Sequence, residues 1–279
     1  MKKARNVKLG LGCCICFMFA LVGAAPLFAQ APAEKAWTIL QAGLAEKGAT
    51  QRATAVRVLG LLEGNAKAEQ LALAALGDEK PEVRAAAAEA LGQMKAATAA
   101  PRLAEVIKSD KEVVVVMAGA RSLIALGDGL GYAVYYAVLT GERKTGEGLV
   151  EEQKKMLKDP KKMAQFGFEQ GIGFIPFASV GYGVLKGVTK DDSSPVRAAA
   201  AKILAKDSDP KSAQALVEAA ADKSWIVRAA ALDALSHRGD PTLLLQIASK
   251  LDDENYAVRL TAAAAVIHLH DVQARPSSN

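Results

Sequence analysis

The sequence predicts an all-α fold: an α-solenoid of stacked antiparallel helical hairpins, about seven pairs with an expanded fourth. Three observations carry that reading. An acid-and-arginine motif recurs at near-constant spacing, apolar residues between its copies fall at three- and four-residue intervals, and turn chemistry opens the helices. The motif reads "DEKPEVRAAAAEALG" from Asp78, "DDSSPVRAAAAKILA" from Asp191, "DKSWIVRAAALDALS" from Asp222 and "DENYAVRLTAAAAVI" from Asp253. Each copy sets an acid six positions before an arginine: Asp78 and Arg84, Asp191 and Arg197, Asp222 and Arg228, Asp253 and Arg259. The last three copies are 31 residues apart. Stepping back 32 residues from Arg84 gives a weaker copy, Glu46 and Arg52, and stepping forward 32 gives Asp110 with Val116 where arginine should stand.

Taken in order along the chain, residues 1–31 come first and read as a Sec-type secretory signal peptide. Lys2, Lys3, Arg5 and Lys8 precede an apolar run from Leu9 to Ala25, and small residues place cleavage near Ala29 or Ala31. The expected location is therefore the periplasm or the cell exterior, with an uncleaved anchor as the alternative. That segment holds four of the 35 basic residues and none of the 30 acids, so 31 basic groups face 30 acidic ones in the remainder. Such balance argues against a nucleic-acid partner, which needs a basic surface. All three cysteines, Cys13, Cys14 and Cys16, also lie there, so the mature chain has no thiol nucleophile, disulfide or cysteine metal site.

Residues 35–128 carry the N-terminal repeats and residues 191–271 the C-terminal ones, followed by a tail at 272–279. Between the motifs sit further helices such as "AEQLALAALGD", "PRLAEVIKSD" and "AQALVEAAAD". Asp209-Pro210 and Asp240-Pro241 put a capping acid before a proline at the first helical position, and Ser194-Pro195 does the same for a motif helix. A pair of short helices cannot bury its own apolar stripe, whereas stacked pairs share a continuous core. Alanine runs such as Ala85 to Ala88 let the helix axes approach closely.

The order of acid, hydrophobic residue, arginine and alanines resembles the HEAT-repeat family, especially the short HEAT-like repeats also found in phycobilin lyases. The resemblance runs from about residue 35 to 270. It implies a ladder in which each acid caps the amino end of the second helix and each arginine reaches a neighbouring acid. Elementary electrostatics assigns the same role, because an unpaired buried guanidinium is costly and acids favour helix amino ends. HEAT-like hydroxylases hold iron on His-Glu pairs. No histidine here is followed by Glu, so that activity is not implied.

Residues 129–190 break the pattern. From Val116 to Arg197 the chain runs two 31-residue periods and 19 residues more. "GYAVYYAVLTGE" fits a first helix, but its motif helix is replaced by "EGLVEEQKKMLKDPKKM" and the glycine-rich "GIGFIPFASVGYGVLKG". Eight of the eleven aromatics beyond the leader fall here: Tyr132, Tyr135, Tyr136, Phe166, Phe168, Phe174, Phe177 and Tyr182. One reading makes them core filler for a wider gap; the other leaves part of the cluster exposed to bind a protein partner. Lys154, Lys155, Lys158, Lys161 and Lys162 beside them suggest a third, peripheral membrane contact.

The remaining chemistry is sparse. His237, His268 and His270 are the only histidines, and an i, i+2 spacing does not put the last two on one helical face, so they are expected to cap the last turn. "GYGVLKG" lacks the strand and spacing of a dinucleotide loop, and no serine sits in a nucleophile elbow. No cofactor, metal or catalytic residue is expected. The function expected is an exported scaffold for a protein partner, with an apolar-ligand carrier like the phycobilin lyases, or a peripheral membrane adaptor, as alternatives.

Overall fold

The computed structural model describes residues 27–140 and 193–275, with side chains from residue 32. These residues form twelve α-helices and no strand: α1 (Leu27–Leu44), α2 (Ala49–Val58), α3 (Ala66–Ala75), α4 (Pro81–Gln93), α5 (Ala100–Ser109), α6 (Val113–Ala125), α7 (Leu130–Thr140), α8 (Ser194–Leu204), α9 (Pro210–Ala219), α10 (Trp225–Arg238), α11 (Leu244–Ala248) and α12 (Tyr256–Ala274). The fold is an all-α array of antiparallel hairpins in which α2, α4, α6, α8, α10 and α12 occupy the motif positions. Helix α1 begins at Leu27, upstream of both expected cleavage points.

The caps are the ones that short polar side chains provide. Asn65 accepts from the Ala68 N–H at 2.9 Å, Asp209 from Lys211 at 2.8 Å and Asp240 from Thr242 at 2.9 Å. Asn255 opens α12 by accepting from Ala257 at 3.0 Å and Val258 at 3.3 Å. Ser194 does not cap as expected: it is the first residue of α8, and Ser193 holds the cap position without a side-chain bond. Gly239 closes α10 at φ 65°, a left-handed conformation that glycine adopts without steric cost.

Motif helices form the interior. Ala85 to Ala88 are buried, and Leu91, Leu123, Leu232, Leu235 and Leu260 lose essentially all contact with water. Each such leucine contributes about 2 kcal/mol through burial of its side chain. Small residues set the spacing: a Cβ on Gly92 of α4 would lie 2.5 Å from Ser122 Oγ on α6, whose hydroxyl donates to the Ala88 carbonyl at 2.8 Å. At that distance only glycine fits.

The order of stacking is not the order of the chain. Helix α8 packs on α10, α10 on α12, α12 on α1, and α2 on α4 and then α6, so the last hairpin lies against the first. A stack in chain order would put α1 and α12 at opposite ends. Instead, the two described halves meet in a central joint, and α7 and α8, which flank residues 141–192 in sequence, end the stack of described helices on its two sides.

Candidate functional site

The acid-and-arginine motif builds a ladder with a fixed geometry. In the repeats of Arg52, Arg84, Arg228 and Arg259 the arginine Nη1 donates to two carbonyls of its own loop, those of the residues six and five positions earlier. Arg84 reaches Asp78 at 2.9 Å and Glu79 at 3.3 Å, and Arg228 reaches Asp222 at 3.0 Å and Lys223 at 3.2 Å. The opposite edge of the guanidinium turns to the acid of the next repeat. Arg52 Nε and Nη2 bind Asp78 at 3.0 and 2.9 Å, and the same atoms of Arg84 bind Asp110 at 2.7 and 3.0 Å. Arg228 Nη2 binds Asp253 at 2.8 Å, and Arg197 binds Asp222. A planar guanidinium fork suits both partners at once.

Each acid is held again from below, because the Lys80, Glu112, Ser224 and Asn255 N–H groups donate to Asp78, Asp110, Asp222 and Asp253 at 2.8 to 2.9 Å. This corrects the expected cap. The donors are the N-cap residues themselves, so the acid closes a turn just ahead of the helix and does not bond its first turn. The Arg52 hydrogen bond holds the Asp78 carboxyl below its usual range. Burial, the largest single influence, pushes Asp110 and Asp253 up, but the hydrogen bonds from Arg84 and Arg228, those from the backbone N–H groups and the nearby positive charges together outweigh it, and both end lowered. Arg52 and Asp110, the weaker copies in sequence, are full rungs. Asp191 lies outside the described residues.

A second row runs beside the first. Five positions after the motif arginine stand Arg57 on α2, Glu89 on α4 and, after Val116, Arg121 on α6. Glu89 lies 3.5 Å from Arg57 and 4.0 Å from Arg121. In the other half the same offset gives Lys202 on α8 and Asp233 on α10. Burial lowers the Lys202 ammonium and raises the Asp233 carboxyl, the latter against the fields of His237 and Lys202. The constant offset was present in the sequence, but side chains of changing identity and sign hid it.

The ladder fails at the joint. Arg259 keeps the carbonyl half of the pattern, donating to Asp253 at 2.8 Å and Glu254 at 3.0 Å. No carboxylate of the described residues comes within 4.0 Å of it, so the expected rung at Arg259 is not made. Its guanidinium lies 5.8 Å from the centre of the Tyr256 ring. Burial and the nearby Glu46 push the Tyr256 phenol up to about 12. Between α12 and α2 opens a cleft of about 440 Å³, walled by Glu46, Thr50, Gln51, Trp225, Asn255 and Tyr256.

The aromatic cluster is divided. Tyr132 and Tyr136 on α7 are 65% and 62% exposed, Leu139 one turn on is 86% exposed, and Tyr135 packs against the core. Phe166, Phe168, Phe174, Phe177 and Tyr182, with the lysine run, lie outside the described residues. The histidines do not cap the last turn as expected, since α12 continues to Ala274 and has no basic residue there. Burial lowers the His268 imidazole, and His237 Nδ1 sits 2.9 Å from the Asp233 carbonyl. Among the described residues no group of three His, Cys, Asp or Glu is placed to hold a metal ion.

Comparison with known proteins agrees with the repeat pattern. The family model for HEAT repeats matches residues 39–124 and 183–268, more than half of the chain. No curated protein matches it. Among solved structures, human deoxyhypusine hydroxylase in complex with glycerol is similar at 19% identity, covering 88% of this chain and 99% of that chain. Its TM-score of 0.33 is too low to carry an argument about activity.

Proposed function

The chain belongs to the HEAT-repeat family, and from that premise we propose that it is an exported, non-catalytic scaffold that binds a protein partner. One observation carries the reading. Tyr132, Tyr136 and Leu139 stand at i, i+4 and i+7 of α7, which puts three large apolar side chains on one face of a helix, all of them exposed. Contiguous apolar surface of this kind is what partner proteins bury, and tyrosine is favoured there because it pairs a rigid apolar ring with a polar tip. Export rests on the basic and apolar character of residues 1–25. Among the described residues no helix is long and apolar enough to cross a membrane.

The test replaces Tyr132, Tyr136 and Leu139 with serine in the full chain and crosslinks in the intact cell envelope. A specific crosslinked protein seen with the wild type should be lost with the variant while the thermal transition is unchanged. Capture that persists would remove α7 as the binding face. Flotation of the wild type, but not the variant, with anionic liposomes would assign the same face to lipid and sink the protein-partner reading.

A further inference from the structure

Helix α8 carries an apolar face that its counterparts bury. In a motif helix the positions one before the motif arginine and two, three and six after it turn to the preceding motif helix, as Ser122 on α6 shows by donating to the Ala88 carbonyl of α4 at 2.8 Å. On α10 these positions are Val227, Ala230, Ala231 and Ala234, none more than 2% exposed, and the same positions are buried on α4, α6 and α12. On α8 they are Val196, Ala199, Ala200 and Ile203. All four are exposed, Val196 to 72% and Ile203 to 65%. The rest of the helix is seated as elsewhere, with Ala198 and Ala201 buried and α8 packed on α9 and α10.

Helix α2, the first motif helix of the other half, shows how such a face is covered. Its Ala55 and Val58 hold the register of Ala200 and Ile203 and are buried, because α1 precedes it in the chain and folds back on it. A Cβ on Gly43 of α1 would lie only 2.9 Å from Ala55 Cβ. Ahead of α8 the stretch "GIGFIPFASVGYGVLKG", residues 171–187, holds the place that α1 holds ahead of α2. Both blocks that match HEAT repeats open at this place, one at residue 39 inside α1 and the other at residue 183. Residues 188–193 alone separate the stretch from α8. Six residues extend to at most about 20 Å, about twice the distance between packed helix axes, so the stretch is within reach. Its chemistry also fits, since Lys186 is its single charge, whereas the lysine-rich residues 151–162 could not be buried on an apolar stripe without cost.

We propose that residues 171–187 pack on the face of α8 that runs from Val196 to Ile203, as α1 packs on α2. Ala199 and Ala200 form a flat floor between the two larger side chains, and such a floor accepts large apolar side chains. On this assignment Phe174, Phe177 and Tyr182 are packing residues of the second half and not part of a partner surface. The α7 face, at the other end of the stack, plays no part in the proposal.

Hydroxyl-radical footprinting of the dilute full chain reads this face, each rate being divided by that of the denatured chain. Leu245 on α11, 70% exposed, is the reference for an open side chain, and the buried Leu235 on α10 is the reference for a folded half. Val196 and Ile203 should be oxidised several-fold more slowly than Leu245. Phe177→Asp combined with Val180→Asp should raise both to the Leu245 rate while Leu235 stays protected. Irradiation of the Ile203→p-benzoylphenylalanine chain should give a link, within one chain, to a peptide from residues 171–187. Oxidation of Val196 and Ile203 at the Leu245 rate in the wild type, a photo-link that avoids residues 171–187, or continued protection in the double aspartate variant would each overturn the proposal. A link between two chains would also overturn it and assign the face to a second copy. None of these readings involves envelope crosslinking, so the scaffold reading stands or falls apart from them.

Discussion

The joints inside each half and the joint between the halves solve one packing problem in different ways. Between α4 and α6 the motif helices lie side by side, Gly92 admits Ser122, and the rung from Arg84 to Asp110 closes the edge. Between α12 and α1 the rung is absent. There the apolar seat around Gly43 and Leu260 is flanked by polar contacts at its rim: Lys35 with Asp252 at 2.6 Å, Asn65 with Asp271 at 2.6 Å, Tyr256 with the Gln51 carbonyl at 3.4 Å and Arg275 with the Glu63 carbonyl at 3.2 Å. The difference teaches that the ladder organises joints between consecutive repeats but is not needed to hold a stack together. Apolar fit with a polar rim can make a joint where the chain supplies a glycine at the crossing.

The comparison breaks most severely at the buried rung. Asp253→Ala leaves Arg228, only 9% of whose side chain is exposed, with no carboxylate but that of the exposed Glu254 at 3.6 Å, and should cost about 3 kcal/mol in chemical denaturation. Removing both groups, with Arg228→Met added, should recover part of that loss. At the joint, Gly43→Val drives a branched side chain into Ala55, Leu260 and Tyr256 and should cost about 2 kcal/mol, read as a lower denaturation midpoint.

Acid sharpens the contrast. Asp78, Asp110 and Asp253 are held below their unfolded values, so their stabilisation is present above about pH 4 and is lost as pH falls through the lowered folded values. Asp78→Asn should flatten the acid limb of a stability-versus-pH curve. The smallest effect belongs to the rim: Lys35→Ala removes a pair that is largely exposed on both sides and should change stability by less than about 1 kcal/mol.

Much of the ladder could be read from the sequence because it is local in register. An acid six residues before an arginine, followed by alanines, forces hairpin, helix and pair together, and even the degenerate copy at Arg52 forms a full rung. The second row of Arg57, Glu89 and Arg121 escaped because its positions repeat while its charges alternate. The order of stacking escaped for a deeper reason. The contact of α12 with α1 joins residues more than 200 positions apart and leaves no periodic trace. Its one local sign is Gly43, a glycine inside a helix that only a close neighbour explains. Three of the eight candidate partner residues, Tyr132 and Tyr136 exposed and Tyr135 packed, divide as an amphipathic helix would; the four phenylalanines and Tyr182 lie outside the described residues.

The central claim is that the last hairpin stacks on the first, and zero-length carbodiimide crosslinking tests it most directly. The Lys35 amine and the Asp252 carboxylate are 2.6 Å apart across the joint, while Lys95 and Glu63, 3.1 Å apart within one half, supply the control. Peptide mapping of the monomeric full chain should recover both links, and Gly43→Val should deplete the first while sparing the second. Recovery of the Lys95–Glu63 link without any Lys35–Asp252 link would mean that the repeats stack in chain order and that the joint does not exist.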